Sequence, residues 1–178
     1  LTGYYGEKNV GDNALQLACI DGITKYCKNS VNITIISTSP IGFESGAIIS
    51  IPALNKKFAR TRLITSTDFL VYGGGGVIQD YKKSGLDDLK YKLRNIVLAK
   101  LLRKKVAFIG ISVGPITTKI GSFLAKAIFS LADYVSLRDN DSFRYLTSEL
   151  KITKNVEQGF DLAVLMDVKK YKNNNDSI

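Results

Sequence analysis

Apolar and polar positions divide the chain into short β-favouring runs and longer segments with helical spacing. Buried strands are predicted where the runs are short, apolar and rich in β-branched residues: residues 1–5, 32–37, 47–51, 69–72, 105–112, 134–137 and 156–159. Helices are predicted where apolar residues recur three and four positions apart: residues 13–26, 54–65, 86–104, 117–131 and 140–150. Strand and helix alternate, which predicts an α/β fold with a doubly wound, mostly parallel, Rossmann-like sheet.

The turns of unusual composition all follow predicted strands. They are residues 6–12, 73–80, 112–115 and 138–139. Because parallel strands end on one edge of the sheet, and ligands bind at that edge, these turns predict a site.

A run of four glycines is the most unusual of these turns. Gly73, Gly74, Gly75 and Gly76 come directly after an apolar strand, and Gln79 and Asp80 close the predicted loop. Glycine accepts positive φ and lets another group approach the backbone closely. The alternative is a glycine-rich connector that binds nothing.

The first loop leads into the helix predicted over residues 13–26. Asp12 is predicted to be the N-cap of that helix, or to bind a hydroxyl group, since its own charge repels an anion. Cys19 and Cys27 lie eight residues apart on the same helix, about 12 Å along its axis, so they are not predicted to form a disulfide.

Composition narrows the chemistry. The 178 residues correspond to one domain over residues 1–168, followed by a polar, Asn-rich linker or tail over 169–178. With no histidine and two cysteines, neither a histidine-dependent triad nor a zinc site can be built, and acid–base work falls to Asp, Glu, Lys or Tyr.

The glycine spacing fits neither a dinucleotide fingerprint nor a P-loop.

Five ordered segments resemble motifs of the polysaccharide pyruvyl transferase family. They are Gly3-Tyr4-Tyr5-Gly6-x-x-Asn9-x-Gly11-Asp12, Gly73 to Asp80, Gly110-x-x-x-Gly114-Pro115, Ser136-x-Arg138-Asp139 followed by Ser142, and Asp161-Leu162-Ala163. Leu162 stands where the family commonly has proline, and Ser112 where glutamine or glycine is common.

The resemblance implies a transferase that moves the enolpyruvyl unit of phosphoenolpyruvate onto a sugar of a bacterial surface polysaccharide, as a ketal. It implies no cofactor beyond this donor substrate, and a cytoplasmic location, at the inner face of the membrane where acceptors are lipid-linked. The family is similar in fold to two-domain glycosyltransferases of the B type. The chain then corresponds to the acceptor-side, amino-terminal half, and the catalytic histidine and most donor-binding cations are expected in a second domain.

Predicted substrate-binding residues come from these segments. Sugar hydroxyls suit Asp, Asn and Gln side chains, which assigns Asn9, Asp12, Gln79 and Asp80 to the acceptor. Close backbone approach is assigned to Gly6, Gly11, Gly73, Gly74, Gly75 and Gly76, and Gly114 joins the set. Arg138 is the cation suited to a carboxylate or phosphate. The alternatives are structural: Asp12 and Asp139 as helix caps, and Arg138 paired with Asp139 or Asp141.

The net charge of +9 is concentrated in one segment. Residues 81–105 hold nine basic and two acidic side chains, and so seven of the nine net charges. This segment, 82–105 in particular, is predicted either to rest on anionic lipid or to be a solvated helix face. Nucleic-acid binding is disfavoured, because Tyr91 is the one aromatic residue among these cations.

Two other functions stay open on the sequence alone. A glycosyltransferase that uses a nucleotide-sugar shares the expected fold and would bind its nucleotide outside these 178 residues. A domain that binds sugar without catalysis is the other, and it needs no second domain. The acceptor sugar and the oligomeric state are not fixed by any of these patterns.

Overall fold

The computed structural model describes residues 1–3, 5, 9–27, 31–37, 48–52, 57–81 and 85–166. Gly6 and the linker predicted over 169–178 lie outside the described residues.

Parallel strands form the centre of the fold. They are β1 (Ile33–Ser37), β2 (Ile48–Pro52), β3 (Phe69–Ile78), β4 (Lys105–Val113), β5 (Tyr134–Leu137) and β6 (Val156–Gln158). β1 pairs with β2, and β3 to β6 pair in sequence order. Thr2 joins the two sets, because it forms parallel bridges to Ile36 and to Tyr72. The parallel α/β sheet predicted from the sequence is therefore confirmed.

The helices follow the predicted order. They are α1 (Val10–Tyr26), α2 (Lys57–Ser66), α3 (Gly85–Leu101), α4 (Lys119–Leu131) and α5 (Asn140–Arg144), which continues as a π-helical turn over Tyr145–Glu149. A 3₁₀ turn, Leu162–Leu165, comes after β6. Among the described residues, no helix combines the length and the apolar character that crossing a membrane requires.

Helices cover both faces of the sheet. Tyr72 stacks on Phe108 at 4.8 Å between ring centroids, in a core that α3 and α4 complete. The next residue of β3, Gly73, points to the opposite face. A Cβ added there would lie 2.9 Å from the Cys19 sulfur of α1. The sheet is thus doubly wound in the described region, as predicted.

The glycine run lies inside a strand, so the predicted glycine turn after residue 72 is wrong. β3 continues through all four glycines to Ile78, with a register shift against β4 between Gly75 and Ile78. Gly74 and Gly75 hold φ of 65° and 75°, which disfavour any side chain, and a Cβ on Gly74 would lie 2.7 Å from that of Leu15. The glycines let α1 pack directly on the sheet.

The start of α1 also differs from its prediction. Asn9, not Asp12, is the N-cap, and its Oδ1 accepts a hydrogen bond from the Gly11 amide at 3.0 Å. Asp12 lies in the first turn, where a carboxylate stabilises the positive end of the helix dipole. The Asp139 cap is confirmed, since its Oδ1 accepts from the Ser142 amide at 2.8 Å.

Candidate functional site

The ends of β3, β4 and β5 are tied together at one edge, which we call the carboxyl edge. The Gly114 amide donates to the Ile78 carbonyl at 2.7 Å, and the Asp80 amide donates to the Pro115 carbonyl at 3.2 Å. The Arg138 amide donates to the Ile111 carbonyl at 3.0 Å. Three of the four predicted turns are therefore neighbours in space.

The start of α1 brings the first motif to the same edge. Asn9 Nδ2 donates to Asp12 Oδ2 at 2.8 Å, and the other Asp12 oxygen lies 3.1 Å from where a Cβ on Gly75 would be. Asn9 and Gly11 are exposed and Asp12 is half-buried. The carboxylate of the first motif thus faces Gly75, the buried residue that precedes partly exposed Gly76.

The glycines themselves differ in what lies over them. Gly73, Gly74 and Gly75 are buried, whereas Gly76 is partly exposed, as is Gln79. At Gly73 and Gly74, the groups that approach closely are Leu1, Tyr5 and side chains of α1. Ligand contact at those two glycines stays a prediction. The partly exposed residues at the end of β3 are Gly76 and Gln79, on either side of buried Val77 and Ile78.

Asp80 has an internal role. Its side chain is 6 % exposed. Oδ1 accepts from the Thr117 amide and hydroxyl at 2.5 and 3.0 Å, and Oδ2 accepts from the Thr118 amide and hydroxyl at 2.9 and 2.6 Å. Burial alone would raise the Asp80 pKa, but these four hydrogen bonds outweigh it and the pKa is lowered. Asp80 thereby fixes the start of α4; its contact with a sugar stays a prediction.

Arg138 lies within a cluster of polar side chains. Its Nε donates to Ser112 Oγ, and its Nη1 donates to Asp161 Oδ2 at 2.6 Å. Ser112 Oγ in turn donates to Asp139 Oδ2 at 2.6 Å. Burial on its own would raise the Asp139 pKa. Hydrogen bonds from Ser112 and Ser142, together with the Arg138 charge, lower it by more, so the net shift of the pKa is downward. The partner of Arg138 is Asp161, not the Asp139 or Asp141 considered from the sequence.

The Arg138–Asp161 pair is connected to α1 through the next residue. Leu162 packs with Leu15, Ala18 and Cys19 of α1. A Cβ on Gly110 of β4 would lie 2.5 Å from Leu162 Cγ, so this contact also reaches the sheet. The fourth and fifth sequence motifs therefore meet each other, and the fifth packs on α1, the helix that begins within the first motif.

Most of the partners that organise this edge are not among the residues predicted from the sequence. Thr117 and Thr118 carry a signal, since a threonine before an apolar helix is a common N-cap, and Thr118 caps α4. The sequence indicates Asp161 only as part of a motif, and its pairing with Arg138, 23 residues away, has no local signal. In the described part of the chain, no three His, Cys, Asp or Glu residues are grouped as a metal site would require.

Comparison with known protein families shows which family the chain is similar to. The family model described as polysaccharide pyruvyl transferase matches residues 9–178. The chain belongs to the polysaccharide pyruvyl transferase family. The match starts at Asn9, the N-cap of α1, and includes every strand end of the carboxyl edge. Neither a curated protein nor a solved structure matches the chain.

Proposed function

We propose that the protein transfers the pyruvyl unit of phosphoenolpyruvate to a saccharide as a ketal, and that the acceptor binds at the carboxyl edge. The observation that carries the proposal is that exposed Asn9 and half-buried Asp12 lie beside Gly75 of the glycine strand, next to partly exposed Gly76, in a member of this family. Carboxylate and amide side chains beside accessible backbone are groups that bind sugar hydroxyls well.

The reaction defines what such a site must do. The methylene carbon of the enol gains a proton and becomes a methyl group. Two sugar hydroxyls form C–O bonds to the adjacent carbon, the C–O bond to phosphate breaks, and inorganic phosphate leaves. The two hydroxyl protons balance the one gained by carbon and the one released with phosphate. The acceptor side must therefore hold a diol with both oxygens directed at one carbon.

Asp12 is the carboxylate best placed to hold that diol. It is half-buried beside exposed Asn9 and Gly11, and Asn9 holds one of its oxygens. Its other oxygen faces Gly75, which precedes partly exposed Gly76. Asp80 is less suited, because all four of its hydrogen bonds go to Thr117 and Thr118. We assign hydroxyl binding to Asp12, with Gln79 and Asn9 beside it.

Phosphoenolpyruvate carries a carboxylate and a phosphate, which require cations for binding, and Arg138 at the carboxyl edge is already paired. Arg138 is already paired with Asp161 and lies beside Asp139, so the local charge of the three groups is negative. A negative cluster repels the carboxylate and phosphate of the donor. We therefore propose that Arg138 holds β4, β5 and the 3₁₀ turn together, and that a second domain, in a two-domain arrangement of the glycosyltransferase-B type, supplies the cations and the proton donor.

The proposal is tested with the full-length protein. It is incubated with phosphoenolpyruvate and a panel of nitrophenyl and lipid-linked sugars, while released phosphate and the mass of the sugar are followed. We expect phosphate release together with a sugar that has gained one pyruvyl ketal. Consumption of a nucleotide-sugar, with no phosphate release from phosphoenolpyruvate across the panel, would overturn it in favour of a glycosyltransferase.

The role of Asp12 is tested in the same assay with a matched pair of variants. Asp12→Asn is expected to lower kcat/KM for the acceptor by about 10- to 100-fold, the worth of one hydrogen bond to a charged group. Asp68→Asn is the control, because Asp68 is exposed and precedes β3 at the other end of the sheet. Equal activity of the two variants would contradict the assignment.

A further inference from the structure

The cationic segment is much less uniform in the structure than in the sequence. Most of its described lysines have carboxylate partners: Lys90 with Asp87, Lys92 with Asp88, and Lys100 and Lys105 with Asp133. Lys82 and Lys83 lie outside the described residues. Within the described part of the segment, the cations with no carboxylate partner are Arg94, Arg103 and Lys104. Two of these three directly follow α3.

Large apolar side chains are exposed at the same place. Leu101 is 77 % exposed, Phe69 61 % and Leu102 39 %. Phe69 is the register partner of Lys105, so the start of β3 lies beside the start of β4, directly after α3. We call Phe69, Leu101, Leu102, Arg103, Lys104 and Lys105 the α3 tip. It combines exposed apolar groups with cations.

The backbone of the α3 tip gives a second, independent observation. Arg103 has a φ of 58°, its amide donates to the Lys100 carbonyl at 2.9 Å, and the Lys104 amide donates to the Ala99 carbonyl at 2.8 Å. This is a Schellman helix end, and the left-handed position is one that glycine usually occupies. A side chain there costs about 1 kcal/mol relative to glycine. An exposed arginine at a position that favours glycine points to a role for its side chain.

We propose that the α3 tip docks the protein on an anionic lipid surface. Exposed leucine and phenylalanine enter the region between headgroups and acyl chains, while adjacent cations attract the headgroups. A second copy of the chain fits less well, because a two-fold contact sets the same cations against each other. The inference is independent of the reaction proposed above.

The position of the α3 tip has a geometric consequence. It lies at the amino ends of β3 and β4, opposite the carboxyl edge. β4 has nine residues, about 30 Å at the rise of a parallel strand. A protein docked by the α3 tip therefore holds Asp12 and Gly76 on the side that faces away from the lipid.

Vesicle binding with matched variants tests the inference. The probes are vesicles of phosphatidylcholine alone and of phosphatidylcholine with phosphatidylglycerol, and the readout is co-sedimentation at several salt concentrations. Arg103→Gly removes the charge and relieves the backbone, so it does not fail by misfolding. Its expected affinity for the anionic vesicles is about fivefold lower, and that of Leu101→Ser on the order of tenfold lower.

The controls change the same types of residue elsewhere. Lys119→Ser removes an exposed cation, and Phe123→Ser removes an apolar side chain that is 70 % exposed, both on α4. We expect both to bind the anionic vesicles like the unchanged protein. Equal losses in Arg103→Gly and Lys119→Ser would mean that only net charge matters, and equal losses in Leu101→Ser and Phe123→Ser would mean that the apolar contact is not specific to the tip; either result would overturn the proposal. Self-association that Leu101→Ser abolishes, without vesicle binding, would identify the tip as an interface between copies and overturn it too.

Discussion

The two ends of the sheet differ in how their arginines are held, although the amino end, like the carboxyl edge, also holds a carboxylate in hydrogen bonds, Asp133 with Lys100 and Lys105. At the carboxyl edge, Asp80 and Asp139 are held by several hydrogen bonds, and Arg138 is clamped between Ser112 and Asp161. At the other end, Arg103 has no carboxylate partner among the described residues and stands beside exposed Leu101. Charged side chains that are paired or hydrogen-bonded within the protein hold the backbone segments that carry them in place. An exposed charged side chain without such a partner remains available to bind a ligand or surface outside the chain.

A charged residue near a site can therefore have a structural role instead of a ligand-binding one. Asp80 and Arg138 fit the composition of a binding site, yet their hydrogen bonds hold α4, β4 and β5 in place. Asp12 is half-buried whereas Asp80 is buried, and Asp12 is the carboxylate that we assign to substrate. The largest effects on stability should therefore come from the carboxyl edge, and the smallest from the α3 tip.

Loss of the Asp80 side chain is expected to have the largest effect. Asp80→Ala leaves the amides of Thr117 and Thr118 without their acceptor, in a place where Asp80 itself is 6 % exposed. We expect the free energy of unfolding in urea to fall by about 3 kcal/mol. Asp68→Ala, at an exposed carboxylate, should change it by less than about 0.5 kcal/mol. Similar losses for both would mean that the Asp80 hydrogen bonds contribute little.

A side chain in the glycine strand is expected to have the next largest effect. Gly74→Ala adds a methyl group 2.7 Å from Leu15 Cβ at a φ of 65°, so either α1 or the strand must shift. The expected loss is about 2 kcal/mol in the free energy of unfolding. Gly22→Ala is the control, since a Cβ there meets nothing within 4 Å and alanine favours a helix by up to about 1 kcal/mol. Unchanged stability of Gly74→Ala would show that α1 does not rest on this glycine.

Acidification is expected to destabilise the protein through the carboxylates of the carboxyl edge. The pKa values of Asp80 and Asp139 are lowered in the folded protein, so each carboxylate adds stability that is complete above the ordinary pKa of about 3.9. That stability is lost as the pH falls through the lower folded-state values. We expect the free energy of unfolding to decrease from pH 5 to pH 2. Asp139→Asn keeps a good N-cap and should show a smaller decrease; an identical pH profile would contradict this.

The smallest effect is expected at the α3 tip, with the opposite sign. Arg103→Gly should raise the free energy of unfolding by about 1 kcal/mol, because glycine accepts the left-handed backbone. Arg103→Ala removes the same charge but keeps the backbone cost, so it should show no such gain. A gain of equal size in both variants would assign the effect to charge rather than to the backbone.

The sequence predicts the order of elements well because most of them rest on local patterns. The spacing of Leu86, Leu89 and Leu93 is enough to place α3, and the strand over residues 134–137 has the predicted bounds. The glycine turn was predicted wrongly because a strand with positive φ at Gly74 depends on α1 packing against it. The N-cap of α1 is Asn9 and not the predicted Asp12. Either residue type suits an N-cap, so the sequence alone does not decide between them, whereas the packing of the helix start does.

The candidate site was predicted in outline for a different reason. Its placement on one edge follows from the parallel sheet, which local patterns indicate. The roles of its members do not follow, since the Arg138–Asp161 pair and the four hydrogen bonds to Asp80 join segments 23 to 38 residues apart. The assignments of Gly11, Gly76, Gln79 and Gly114 to substrate stay predictions, as does the domain boundary at residue 168.

The central claim is that the acceptor binds at the carboxyl edge. It is tested most directly by following backbone amide signals in NMR spectra while a sugar that the transfer assay identifies as an acceptor is added. We expect the amide signals of Gly11, Asp12, Gly76 and Gln79 to shift, and those of Arg103 and Tyr134 at the opposite end to stay unchanged. Shifts confined to that opposite end, or saturable binding without shifts at the carboxyl edge, would contradict it.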